Sequence, residues 1–191
     1  MASTLPGQRR QQILVALAEM LEQPKGDKIT TAALARKLAF SEAALYRHFA
    51  SKAQMFEGLI EFIESSVFGV INQITDKQPA GLAQVRDMLN MLLHFAASNP
   101  GMTRVLIGDA LVNEDERLQS RMNQLHDRVE LALKQSLRLA ATEGHGHEDD
   151  VAARAAMLLA FVLGRWHRYA KSGFKLNPAQ DAALQIAMLL N

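Results

Sequence analysis

The 191-residue sequence has no cysteine. That excludes a disulfide framework, a thiolate zinc finger, an iron–sulfur cluster and a cysteine nucleophile. Glycine and proline are scarce, at eleven and five, which leaves room for few turns. Together with abundant Ala, Leu, Glu, Gln, Arg and Met this favours helix and excludes an all-β or collagen-like chain. Long apolar runs are also missing: the longest, Val151 to Gly164, has 14 residues, contains Arg154 and stops at Arg165. A membrane-spanning helix needs roughly 20. Met1 to Arg10 carries two arginines but leads into Gln11 and Gln12 rather than an apolar run with a cleavage site, so no signal peptide is expected. The prediction is a soluble, cytoplasmic chain with no membrane partner. A Gly-rich phosphate loop, a Ser/His/Asp order and a zincin helix are all lacking, and no enzyme or cofactor is expected.

Net charge is only +1, yet its distribution is uneven. Residues 1–52 hold eight Lys or Arg (Arg9, Arg10, Lys25, Lys28, Arg36, Lys37, Arg47, Lys52) against four acids (Glu19, Glu22, Asp27, Glu42). The remaining 139 residues hold 13 basic and 16 acidic groups. A small basic head on a mildly acidic body suggests a polyanion-binding module joined to something else. The expected division is a head of residues 1–52 and a body of 53–191.

Apolar spacing predicts an all-α fold of about nine helices. Ile13, Leu14, Leu17, Met20 and Leu21 mark a helix over Gln8–Glu22, ended by Pro24 and Gly26. Thr30 caps a short helix to Leu38, and Ser41 caps another from Glu42 to Phe49, with Ala39 to Ser41 as a three-residue turn between them. Ser51 caps a long helix from Lys52 to about Asp76, striped by Phe56, Leu59, Ile60, Ile63, Val67, Ile71 and Ile74. Breaks at Gln78–Gly81, Asn99–Gly101, Gly144–Gly146 and Gly173–Pro178 divide the rest into helices over 82–98, 100–108, 114–141, 149–172 and 179–190.

Two short helices across a tight turn, inside a basic head, form a helix-turn-helix pattern. Leu34, Leu38, Leu45 and Phe49 can bury together, and Ala35 is small enough for a close crossing. The opposite face shows Ala43, Ala44, Arg47 and His48. Two alanines let the backbone approach base edges, and their methyls can meet a thymine methyl. Thr30, Thr31, Tyr46, His48 and Lys52 suit phosphate. The competing reading is a solvated polar face, a half-packed Tyr46 ring and caps that serve only folding.

The run Ile29 to Lys52, which closes with Tyr46-Arg47-His48-Phe49-Ala50-Ser51-Lys52, resembles the DNA-binding head of TetR-family regulators. That resemblance implies a homodimer with helices 1 to 3 on double-stranded DNA and the last two long helices at the dimer seam. The motif often has glycine at the turn where this chain has Ala39. Ser41 to Phe49, Leu59 to Glu64, Asn99 to Arg104 and Glu116 to Leu125 further resemble the nucleoid occlusion branch of that family. This implies binding to specific chromosomal sites, with one or two dimers per site, and engagement of the C-terminal tail of the division protein FtsZ along helices 4 and 5. Phe62, Met91 and His94 match the apolar part of that groove. Val70 and Ser98 stand where arginine is expected.

Other candidates remain beside this reading. His145 and His147 with Glu148, Asp149 and Asp150 are either a metal site or, as preferred, a loop leading into an acidic helix start. Glu61 and Glu64 are expected to face solvent. His94, Met88, Met91 and Met102 line either an effector pocket, as in a metabolite-responsive TetR-type repressor, or the core or peptide groove. Ala152, Ala155, Ala156 and Ala160 mark either a helix buried within one chain or, as preferred, a two-fold interface through Ala152, Ala156 and Ala160.

Overall fold

The computed structural model describes residues 6–23 and 29–191. Among them are nine α-helices and no strand: α1 (Pro6–Leu21), α2 (Thr31–Lys37), α3 (Glu42–Tyr46), α4 (Lys52–Lys77), α5 (Gly81–Ser98), α6 (Pro100–Leu106), α7 (Glu116–Thr142), α8 (Val151–Lys171) and α9 (Ala182–Leu190). Short 3-10 turns precede α7 (Asp109–Leu111) and α8 (Glu148–Asp150). Pro24 and Gly26, expected to end the first helix, lie outside the described residues, as do Lys25, Asp27, Lys28 and the first five residues. No described helix is long and apolar enough to cross a membrane.

The two short head helices and the long α4 that follows them owe their starts to side-chain caps. Thr30, Ser41 and Ser51 accept hydrogen bonds from the backbone N–H of Ala33, Ala44 and Gln54, each satisfying a donor that has no partner within the helix. Ala39 takes φ 54°, the left-handed conformation that reverses the chain between α2 and α3 and costs an L-residue about 1–2 kcal/mol. The second helix of the helix-turn-helix pattern, α3, expected to be its recognition helix, is shorter than the spacing predicts. It ends at Tyr46, because the His48 N–H turns back to Leu45 O at 2.9 Å and tightens the last turn, leaving Ser51 clear to cap α4. At the other end of the chain α9 starts at Ala182 rather than 179, since Asp181 stands at φ 57° and breaks the helical path.

The core is one cluster running from Ile13, Leu34, Leu45 and Phe49 through Met55, Phe56 and Leu59 into Leu92, Val129 and Trp166. Each such fully buried side chain contributes about 1.5–3 kcal/mol. Trp166 is wholly buried, and its indole N–H donates to Leu92 O at 3.1 Å. Gly101 fixes how the body meets the head: a Cβ at this position would lie 1.9 Å from Ala18 O, so α6 and α1 touch backbone to backbone. Nearby, Arg104 pairs with Asp109 at 2.9 Å and donates to Leu21 O at 3.3 Å, and Lys171 of α8 reaches the same aspartate.

Candidate nucleic-acid interface

Ala43, Tyr46 and Arg47 are exposed on α3, while Ala44 and His48 are half-buried beside them. The opposite side of the motif is closed by buried Leu34, Ala35, Leu45 and Phe49. Tyr46 is 45% exposed and its hydroxyl lies 3.5 Å from Thr31 Oγ1. Thr31 Oγ1 in turn donates to Glu42 Oε2 at 2.6 Å. Thr30, Thr31, Tyr46 and the recognition helix are therefore gathered at one end of the head, with Glu42 among them. That carboxylate holds the Thr31 hydroxyl, and it was not among the residues the motif brings to notice.

Lys52 lies elsewhere. Its Nζ is 2.5 Å from Glu114 Oε1 in the segment between α6 and α7, and it stacks 5.7 Å from the Phe56 ring. The cation expected to face a phosphate is turned toward the body. Two residues of α1 stand nearer the recognition helix instead. Arg10 Nη1 donates to His48 O at 2.6 Å and its guanidinium lies 4.1 Å over the Phe49 ring. Arg9 lies 5.1 Å over the Phe40 ring. Composition alone counts these arginines without placing them.

On the body, Phe62 is 38% exposed beside a helix face whose Leu59, Ile60 and Ile63 are fully buried. Its antiparallel neighbour α5 carries half-buried Met91 and exposed His94, whose Nδ1–H donates to Asn90 O at 2.8 Å. Val70 and Asp87 line one cavity of about 280 Å³ between the two helices. Met88, by contrast, is buried in the core, so the methionines and His94 do not share one surface.

Ala152, Ala156 and Ala160 are exposed along α8 with Met157, whereas Ala155 is buried, so the alanine stretch has two faces. On α9, Leu184 and Met188 are 66% and 71% exposed. Glu64 departs from expectation: it is held by Arg121 of α7 at 2.6 Å, not solvated, while Glu61 is exposed. His145, His147 and the acids after them are exposed, and Glu148 pairs with Arg138 at 3.0 Å. Among the described residues no three His, Asp or Glu side chains converge as a metal site would require.

Comparison with known proteins covers both parts of the chain. A family model described as bacterial regulatory proteins, tetR family, matches residues 13–59, and one described as a tetracyclin repressor-like, C-terminal domain matches residues 79–191. The nucleoid occlusion factor SlmA of Shewanella pealeana is 50% identical over 94% of this chain and 92% of its own length. That of Photobacterium profundum is 49% identical over 95% and 93%. Among solved structures, a TetR transcription regulator from Haloarcula marismortui superposes with a TM-score of 0.81 at 17% identity, covering 96% of this chain and 97% of that one. FadR of Bacillus subtilis, in complex with stearoyl-CoA, gives 0.77 at 13%, covering 95% and 97%. These two show the shared fold.

Proposed function

The chain belongs to the TetR family of bacterial regulatory proteins, in its branch of SlmA nucleoid occlusion factors, and on that premise we propose that it is a non-enzymatic nucleoid occlusion factor. Its head, residues 1–52, reads specific chromosomal sites in double-stranded DNA. Its body, residues 53–191, pairs two chains and holds the FtsZ C-terminal tail while DNA is bound, blocking division-ring assembly over the nucleoid. The observation that carries this reading is a similarity of about half identity over 94% of the chain, a span that takes in the body as well as the head.

The chemistry at each surface supports it. Ala43 and Ala44 leave room at the start of α3 for base edges, while Arg47 supplies a guanidinium and His48 an imidazole N–H. Phe62 on α4 offers an anchor for an extended or helical peptide, with Met91 and His94 on the neighbouring α5 as its proposed companions; an exposed aromatic is the usual centre of such a contact. Without the arginines expected at positions 70 and 98, the groove relies more on apolar contact. Ala152, Ala156 and Ala160 permit close helix approach at a two-fold seam. A pull-down with FtsZ tail peptide, with and without DNA, tests the proposal. Capture enhanced by DNA is expected; no capture in either condition leaves a metabolite-responsive repressor as the better reading.

A further inference from the structure

We propose that Glu114 of the body is a built-in brake on the head: it withholds Lys52 from duplex DNA and keeps binding weaker than the head's own cations could make it. The inference rests on the reading of the head as a DNA-binding module, and it gives a body residue a part in setting how tightly that module binds.

Lys52 stands at the exit of the helix-turn-helix, where it follows the Ser51 cap directly and opens α4. A cation there adds to the positive end of the helix dipole, so an anion is the favoured neighbour. In the free chain the body supplies that anion. Glu114 Oε1 lies 2.5 Å from Lys52 Nζ, and both side chains are largely shielded from solvent. The Phe56 ring, 5.7 Å from the same ammonium, adds a second hold on the body side. A duplex must therefore compete with a carboxylate already in contact, and salt weakens such a shielded pair less than it weakens contacts to phosphate.

The carboxylate is also anchored from behind. In the segment that carries it, Asp109 pairs with Arg104 of α6 at 2.9 Å and with Lys171 of α8. Arg104 donates further to Leu21 O at 3.3 Å. With its segment tied to α6 and α8, Glu114 is not free to follow Lys52 toward a duplex. The ammonium stays with the body.

Fluorescence anisotropy on a mixed-sequence duplex of about 30 base pairs, repeated over a range of salt at a temperature where every variant is folded, tests the brake. Glu114→Gln keeps the side chain's shape and removes its charge. For a two-headed dimer it is expected to steepen the slope of log K against log salt by roughly two and to tighten binding about tenfold at physiological salt. Lys52→Ala should bind with the parental slope, because the parent does not use that cation, and Lys52→Ala combined with Glu114→Gln should return to the same slope. Glu116→Gln removes an equal charge from the exposed start of α7 and should leave the slope unchanged. A parental slope in Glu114→Gln would overturn the brake. A flatter slope in Lys52→Ala would do the same, since Lys52 would then already be on the duplex in the parent. Equal steepening in Glu114→Gln and Glu116→Gln would reduce the effect to net charge and overturn it too. A parent without salt-dependent duplex binding would instead overturn the DNA-binding reading, and the brake with it.

Discussion

Lys52, the first residue of α4, is ion-paired with Glu114, 62 residues away, at 2.5 Å. Their side chains are only 21% and 13% exposed, so solvent screens the pair less than an open surface pair. The pair ties the end of the DNA-reading motif to the segment that leads into α7. Lys52→Ala is expected to destabilise the fold by about 1–2 kcal/mol, chiefly by stranding Glu114. Most of that loss should vanish in a Glu114→Gln background. Urea unfolding of the parent, both single variants and the double variant measures the coupling; additive losses would show that the pair contributes nothing. Glu114→Gln alone should steepen the salt slope of DNA binding, because Lys52 is then released toward the duplex.

Ala39 holds a left-handed conformation at the turn between α2 and α3. Ala39→Gly removes the steric cost and adds back some unfolded-state entropy, for a net gain of about 0.5–1 kcal/mol. DNA affinity should not change. A higher unfolding midpoint with an unaltered gel-shift titration is the expected result; a lower midpoint would show that the alanine methyl packs.

Burial holds the pKa of His126 below its ordinary 6.5, and its Nε2 has no hydrogen-bond partner. The unfolded chain therefore binds this proton more readily than the folded one. Its contribution to stability is complete above the unfolded pKa of about 6.5 and is lost as pH falls through the folded value, at most about 2 kcal/mol by pH 5. Denaturant unfolding at neutral and mildly acidic pH should show a smaller acid loss in His126→Leu than in the parent. Equal losses would assign the acid sensitivity to other groups.

Phe62→Ala should abolish FtsZ-tail binding, since truncating such an anchor costs roughly 2 kcal/mol or more, about a thirtyfold loss. Because the ring is 38% exposed, melting temperature and DNA affinity should stay close to the parent's. Tail-peptide titration beside a melting curve separates this from a core role, for which every activity would fall together.

Ala160 is exposed in the single chain, so Ala160→Glu should leave the protomer folded while burying an unpaired charge at the seam, a cost of several kcal/mol. Sedimentation should show folded monomers. An intact dimer would place the two-fold contact elsewhere.

The head was legible in the sequence because its determinants are local. Thr30, Ser41 and Ser51 each sit three residues from the backbone donor they satisfy, and Leu45 and Phe49, four residues apart, are both buried. Helix ends set by backbone conformation were less so: Asp181 is of a type that tolerates a left-handed φ, but one aspartate among many does not mark where the turn falls. The partners of charged groups were least legible. Glu64 finds Arg121, Lys52 finds Glu114 and Arg10 finds His48 O across separations of 57, 62 and 38 residues. Such pairings arise only after α7, the inter-helix segment and α1 are packed, so a carboxylate on an amphipathic helix looked solvated and a lysine at a helix start looked free.

In the proposed dimer, the backbone contact at Gly101 would govern how much play the two heads have. With α6 pressed onto the Ala18 carbonyl, a head has little freedom to swivel against its own body, and the proposed two-fold seam would dictate the spacing between heads much as a caliper does. Inserting one base pair between half-sites turns one against the other by roughly a tenth of a helical turn. A pair of heads without compliance must strain the DNA or release one half-site, so operator length should be read as strictly as operator sequence.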